Sequence, residues 1–296
     1  MTSIQQRDAQ SVLAGIDDLL PQIRERAQAT EDLRRLPDET VQDLQDVGFF
    51  TLLQPEQWGG LQCDPTLFYE AVRRLASACG STGWVSSIIG VHNWHLALFD
   101  QQAQEEVWGE DPKTRVSSSY APMGAGVVTD GGYLVNGAWN WSSGCDHATW
   151  AFLGGPVIKD GRPVDFGSFL IPRSEYRIDD VWHVVGLRGT GSNTVVVKDV
   201  FVPRHRFLSY KAMNDGTAGG MRPTPRPSTR CLGAQCIPPP SRRRSWAWPT
   251  APTPRTSSTR ASGCARRSPA RRPRTTRSPR SASPRRPATS TRPGAS

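Results

Sequence analysis

The sequence predicts an α+β fold: a helical domain over residues 1–112, a β domain over 113–215, and a tail over 216–296 that belongs to neither. Three observations predict it. Apolar residues recur every three or four positions up to about residue 110, then every second position, and beyond Gly220 they almost vanish. Helices first and strands after them argue for segregated layers, not for alternating βαβ units.

Val12, Ile16, Leu19, Leu20 and Ile23 lie on one face of a first helix. Pro37 and Asp38 open a second, which carries Val41, Leu44 and Val47 and stops at Gly48. Phe68, Val72 and Leu75 mark a third after Pro65. A fourth runs from about Ser81 to Phe99 and sets Trp84, Ile88, His92 and His95 along one stripe, with Ser86, Ser87 and Gly90 beside it. After Pro112 the period changes. Val127-Val128 and Tyr133-Leu134-Val135 flank Thr129-Asp130-Gly131-Gly132, a hairpin signal. Strand-like runs follow at 150–153, 166–171 and 194–197, and VSSSYAP (116–122) reads as a small-residue loop.

The 296 residues carry a formal net charge of +9, but 18 Arg and no Lys, Asp or Glu lie beyond residue 220. Residues 1–220 therefore hold 18 basic against 27 acidic side chains, a net charge of −9. An acidic body and a strongly basic tail are two different objects. The N-terminus has no basic stretch followed by an apolar one, and no run approaches the roughly 18 apolar residues of a membrane helix. Cys63, Cys79 and Cys145 lack metal-ligand spacing and suit a reducing compartment. The body reads as cytoplasmic, without membrane or metal.

Three segments carry a family resemblance. PDETVQDLQDVGFF (37–50) with PEQWGG (55–60), GAWNWSSG (137–144) and VWHVVGLRGTGSNTVVVKDVFVP (181–203) resemble, in order, the helical domain, the flavin strand and the mid-domain exit of acyl-CoA dehydrogenases. STGWVSSIIGVHNWH (81–95) and VSSSYAP, which stands where dehydrogenases carry a Thr-Glu-Pro-Gly-Ser loop, resemble instead the flavin-dependent monooxygenase branch. Within that branch the chain is most similar to oxygenases of two-component hydroxylases that act on phenolic secosteroids in bacterial steroid-ring degradation.

The resemblance implies a β-barrel-like middle domain and a chemistry. A separate flavin reductase supplies FADH2 or FMNH2, O2 adds to it, and the resulting C4a-hydroperoxyflavin hydroxylates the phenolic ring ortho to its hydroxyl. Water must be kept out. By resemblance Ser143 bonds near flavin N5 and Trp141 packs on the flavin. Trp84, Ser117 and Ser119 complete the flavin contacts. His92, two turns after Trp84 on the same face, is the catalytic candidate, because a histidine of near-neutral pKa suits removal of the phenol proton. Without the family, each has a plainer reading: hairpin tryptophan, turn serines, core histidine. His95 reads as structural, and His147, His183 and His205 carry no assignment. Arg188 could meet an anion, but GLRGTGSN reads better as a structural connection. The alternative activity is acyl-CoA dehydrogenation, which needs a carboxylate base.

Intact relatives continue into a third, helical domain at the core of a homotetramer. The tail has no apolar periodicity to build one, and disorder is expected of its 15 Pro and 18 Arg. A nucleic-acid-binding arm is the lesser reading, given no Lys, few aromatics and an acidic body. Arg, Pro, Ala, Ser and Thr are what GC-rich DNA encodes out of frame. SRRRSWAWPTAPTPRTSSTR (241–260) read one base earlier admits ISAPIVGMAYGAYAAHVEH, an apolar, small-residue helix. Sequencing the gene across codon 220 should reveal, one base out of phase, a continuous helical domain; a frame broken by stops would refute the shift. A chain so altered is expected to bind reduced flavin poorly and to turn over little or not at all.

Overall fold

A computed structural model describes residues 8–220. The expectations for the tail beyond residue 220 lie outside them. Six helices come first: α1 (Ala9–Glu25), α2 (Ala27–Leu33), α3 (Asp38–Asp46), α4 (Pro65–Ala78), α5 (Gly80–Leu96) and α6 (Gln101–Trp108). Asp8, Asp64 and Asp100 cap α1, α4 and α6 by accepting from the backbone N–H of Ser11, Thr66 and Gln102. Gly48 ends the turn after α3 with φ 88°, a left-handed conformation that suits glycine. Twelve of the 17 residues of α5 are buried, so it is the central helix.

Eight strands follow: β1 (Val116–Ser119), β2 (Gly124–Thr129), β3 (Gly132–Ser142), β4 (Trp150–Lys159), β5 (Arg162–Pro172), β6 (Arg177–Asp179), β7 (Asn193–Pro203) and β8 (Phe207–Ser209). They form one sheet of order β6-β7-β3-β2-β4-β5-β8, with β1 pairing β4 in parallel. The expected barrel-like domain is thus a sheet whose end strands, β6 and β8, are not paired with each other. The hairpin falls where the sequence placed it, Thr129 opposite Gly132. VSSS is a strand and not a loop, because its backbone finds a partner in residues 150–153, more than thirty positions away. A last helix, α7 (Tyr210–Asp215), leads into residues that return to the helical layer, where Gly220 N–H donates to Leu98 O.

Strand alternation divides the apolar side chains between two cores. Phe152, Leu170 and Val116 pack with the helices, while Ala151, Leu153 and Ile171 pack within the sheet around Trp139. Trp139 is fully buried and donates to Gly154 O at 2.7 Å. A Cβ at Gly124 or Gly137 would come within 2.2 or 2.5 Å of its neighbours, so those glycines make room for the indole. Polar clamps join the layers: Glu106 on α6 accepts from His205 and Arg206, and Arg34 forms a two-pronged pair with Asp180. No helix among the described residues is long and apolar enough to cross a membrane.

Candidate active site

The end of β3 meets α5. Trp84 Nε1–H donates to Ser143 Oγ at 2.9 Å, across 59 positions of sequence. Gly144, at φ +69°, lets the chain turn beneath α5, where an added Cβ would lie 2.8 Å from Val85. Trp84, the first residue of the α5 stripe, therefore meets the end of β3 at Ser143. The stripe itself runs from surface to interior: Trp84 is 48% exposed, whereas His92 and His95 are buried.

Trp141 sits in a bulge, where the register of β3 against β7 slips between Trp139 and Ser142. Its φ is 64° and its side chain is 61% exposed. A bulge re-aims a side chain, and a non-glycine residue held in this region costs on the order of 1–3 kcal/mol. One half-open indole, Trp84, thus bonds Ser143 at the junction of the layers, and a second exposed indole, Trp141, lies two residues before it in the chain. Flat apolar faces beside one buried hydroxyl fit a planar heterocycle with a polar edge, and an isoalloxazine ring is such a group.

His92 is deeper. Its Nδ1 lies 2.5 Å from Val116 O and must donate to it, so the ring is the Nδ1–H tautomer. Its Nε2 is buried and has no partner. Phe152 packs edge-on against the ring at 5.3 Å. Burial pushes His92 down to about 4, with the Val116 bond opposing. The near-neutral pKa expected from sequence is corrected accordingly: the imidazole is neutral at pH 7, and its open valence is an acceptor. His95 hydrogen-bonds Tyr120 Oη at 2.6 Å, stacks on Phe152 and is pushed by burial down to about 3.

Ser117 and Ser119 occupy the same face of β1, two positions apart, and turn towards β3. Ser119 Oγ donates to Asn140 O at 2.6 Å, and Ser142 Oγ donates to Ser117 Oγ at 3.3 Å. Both hydroxyls therefore brace the strand that bears Trp141, a role the loop reading did not anticipate. Arg188 keeps its structural reading, since its backbone N–H and that of Gly189 bond the Glu31 carboxylate. Sequence reasoning passed over Ser192 and Thr190. Their hydroxyls follow Ser143 in a chain, Ser143 Oγ to Ser192 Oγ at 2.8 Å and Ser192 Oγ to Thr190 Oγ1 at 2.7 Å.

Residues 16–110 match the acyl-CoA dehydrogenase N-terminal domain. The chain is 88% identical over 221 residues to the oxygenase subunit HsaA of a flavin-dependent monooxygenase from Mycobacterium tuberculosis, covering 75% of this chain and 56% of that relative. The described residues comprise an acyl-CoA dehydrogenase-like N-terminal helical domain followed by a sheet domain, similar in sequence to a flavin-dependent monooxygenase. A crystal structure of the HsaA monooxygenase from M. tuberculosis superposes with a TM-score of 0.75 at 84% identity, over 76% of this chain and 62% of that one. XiaF from Streptomyces, solved with FADH2 and glycerol, superposes with a TM-score of 0.65 at 34% identity, over 68% and 51%. The chain thus spans about half the length of the curated relatives it matches.

Proposed function

We propose that α5, β1 and the end of β3 form walls of a reduced-flavin site in the oxygenase component of a two-component phenol hydroxylase. The observation that carries the reading is the Trp84–Ser143 hydrogen bond, which sets a half-open indole on a buried hydroxyl two residues beyond the exposed Trp141. Reduced flavin, when bound, reacts with O2 and supplies the oxygen atom delivered to the ring. Trp84 and Trp141 would hold its plane and Ser143 its polar edge, with Ser117 and Ser119 fixing β3 behind them. XiaF, a relative bound to FADH2, supports reduced flavin as the cofactor.

His92 lies two turns from Trp84, about 12 Å along the helix axis. The proposal places the flavin at the Trp84 end and the phenol at the His92 end. With Nδ1 committed to Val116, Nε2 accepts the phenol O–H. A base titrating near 4 does not remove a phenol proton outright, since a phenol titrates near 10. It polarises the O–H in place and takes the proton as the ring is attacked. A flavin reductase as partner, a phenolic secosteroid as substrate, assembly into a homotetramer and a cytoplasmic setting belong to the same proposal.

The test is an anaerobic titration of the full chain with FADH2 and FMNH2, followed by oxygen and a phenolic secosteroid. Weak but saturable quenching of tryptophan fluorescence is expected, weakened further in Trp84→Leu, with at most a trace of catechol. Oxidation of an acyl-CoA by the same protein with an electron acceptor, and none of the phenol, would establish the dehydrogenase reading instead.

A further inference from the structure

The hydroxyl chain at Ser143 has a direction. It begins at Trp84 Nε1–H, which only donates, and ends at Leu187 O, which only accepts. Between them stand three hydroxyls, Ser143, Ser192 and Thr190, with one proton each. Four contacts and four protons admit a single order that satisfies every contact: Trp84 to Ser143, Ser143 to Ser192, Ser192 to Thr190, Thr190 to Leu187 O. The far end is well anchored. Leu187 O, at 2.9 Å from Thr190 Oγ1, also accepts from Thr190 N–H at 3.2 Å and Trp182 Nε1–H at 3.0 Å. The following residues are held by Glu31, whose carboxylate takes the N–H of Arg188 at 2.9 Å and of Gly189 at 3.4 Å. Ser192 and Thr190 are buried, so water does not compete for their bonds.

The consequence falls on Ser143. Its proton is committed to Ser192, one lone pair is committed to Trp84, and the remaining valence is a lone pair. We propose that Ser192 and Thr190 are positioning residues that hold Ser143 as an acceptor, and that this polarity makes the site select reduced over oxidised flavin. Reduced flavin carries N–H at N5 and can donate to that lone pair; oxidised flavin offers only an acceptor there, which would face another acceptor. The inference rests on the flavin reading above and adds to it the source of redox selectivity, placed on residues 47 and 49 positions beyond Ser143. Neither residue need touch the flavin.

Ser192→Ala removes the acceptor for the Ser143 proton and frees that hydroxyl to donate. Two measurements on the full chain decide the matter. In the flavin-free protein, the Trp84 indole N–H resonance, assigned by its loss in Trp84→Phe, should move upfield and exchange faster in Ser192→Ala, because Ser143 is then a less polarised acceptor. Ser192→Thr, which keeps the hydroxyl, should restore it. In binding titrations the ratio of oxidised to reduced flavin Kd should fall about fivefold in Ser192→Ala, the scale of one hydrogen bond, and return in Ser192→Thr. An unchanged indole signal with an unchanged Kd ratio overturns the relay. A chain that binds neither flavin form overturns the flavin reading and the selectivity with it, while the indole signal still reports whether Ser143 is polarised as described.

Discussion

Replacing Phe152 with Ala should cost about 3–5 kcal/mol of folding free energy, a large share of the 5–15 kcal/mol that holds a domain together. Phe152 projects from β4 into the helical core and is fully buried. Its ring stacks on His95 at 4.6 Å and Phe99 at 5.2 Å and meets His92 edge-on at 5.3 Å. The side chain thus joins sheet to helices where both buried histidines of α5 meet one ring. Truncation leaves a cavity that rigid neighbours on three elements cannot collapse into. It also brings polarisable space and water nearer to His92 and His95, so both should titrate higher than in the parent. Phe152→Leu, which keeps most of the volume, should cost less than half as much. Urea unfolding gives the energies and NMR titration the histidines. A loss under about 1 kcal/mol, with the histidines unmoved, would show that the two layers do not depend on this contact.

Acid should destabilise the fold well above the range in which carboxylates titrate. His92 and His147 are pushed by burial down to about 4 and His95 to about 3, from an ordinary 6.5. Asp38, 3.5 Å from His147, favours its charged form, but burial and nearby Arg35 outweigh it. The sign follows from proton counting. Between about pH 6.5 and 4 the unfolded chain binds protons on these rings and the folded chain does not, so stability rises with pH in that window. It is fully present above 6.5 and is lost as pH falls towards 4, by on the order of 3 kcal/mol per histidine. Thermal melts at pH 7.5, 6.5, 5.5 and 4.5 should show little change between the first two and a steepening fall thereafter. His95→Gln should flatten that fall. A melting temperature constant from pH 6.5 to 4.5 would mean that these rings are solvated or charged in the folded protein.

Much of the fold was legible because it is local. The spacing of Val12, Ile16 and Ile23 specifies α1, and these three are among its buried residues. Gly48 and the Asp130-Gly131 turn stop and reverse the chain through backbone conformations that neighbouring residues cannot alter. The elements that escaped are those whose stability comes from elsewhere. VSSS has no apolar alternation, and it becomes a strand only because β4 offers it partners. Helix α6 carries Gln and Glu among its few apolar residues, and its Trp108 and Val107 find their partners only in the assembled core.

The site divides in the same way. Trp84, His92, Trp141 and Ser143 could be named from the chain because indole, imidazole and hydroxyl announce their chemistry, and their spacing fixes which of them share a helix face or a strand end. What the chain does by itself is decide which groups exist and which neighbours they have within a turn or two. Only the folded molecule determines the charge of His92, since that depends on how completely water is excluded by Phe152 and its surroundings. Only the fold determines the direction in which Ser143 bonds, since its partners come from residues 84 and 192, and long-range packing alone brings them within reach.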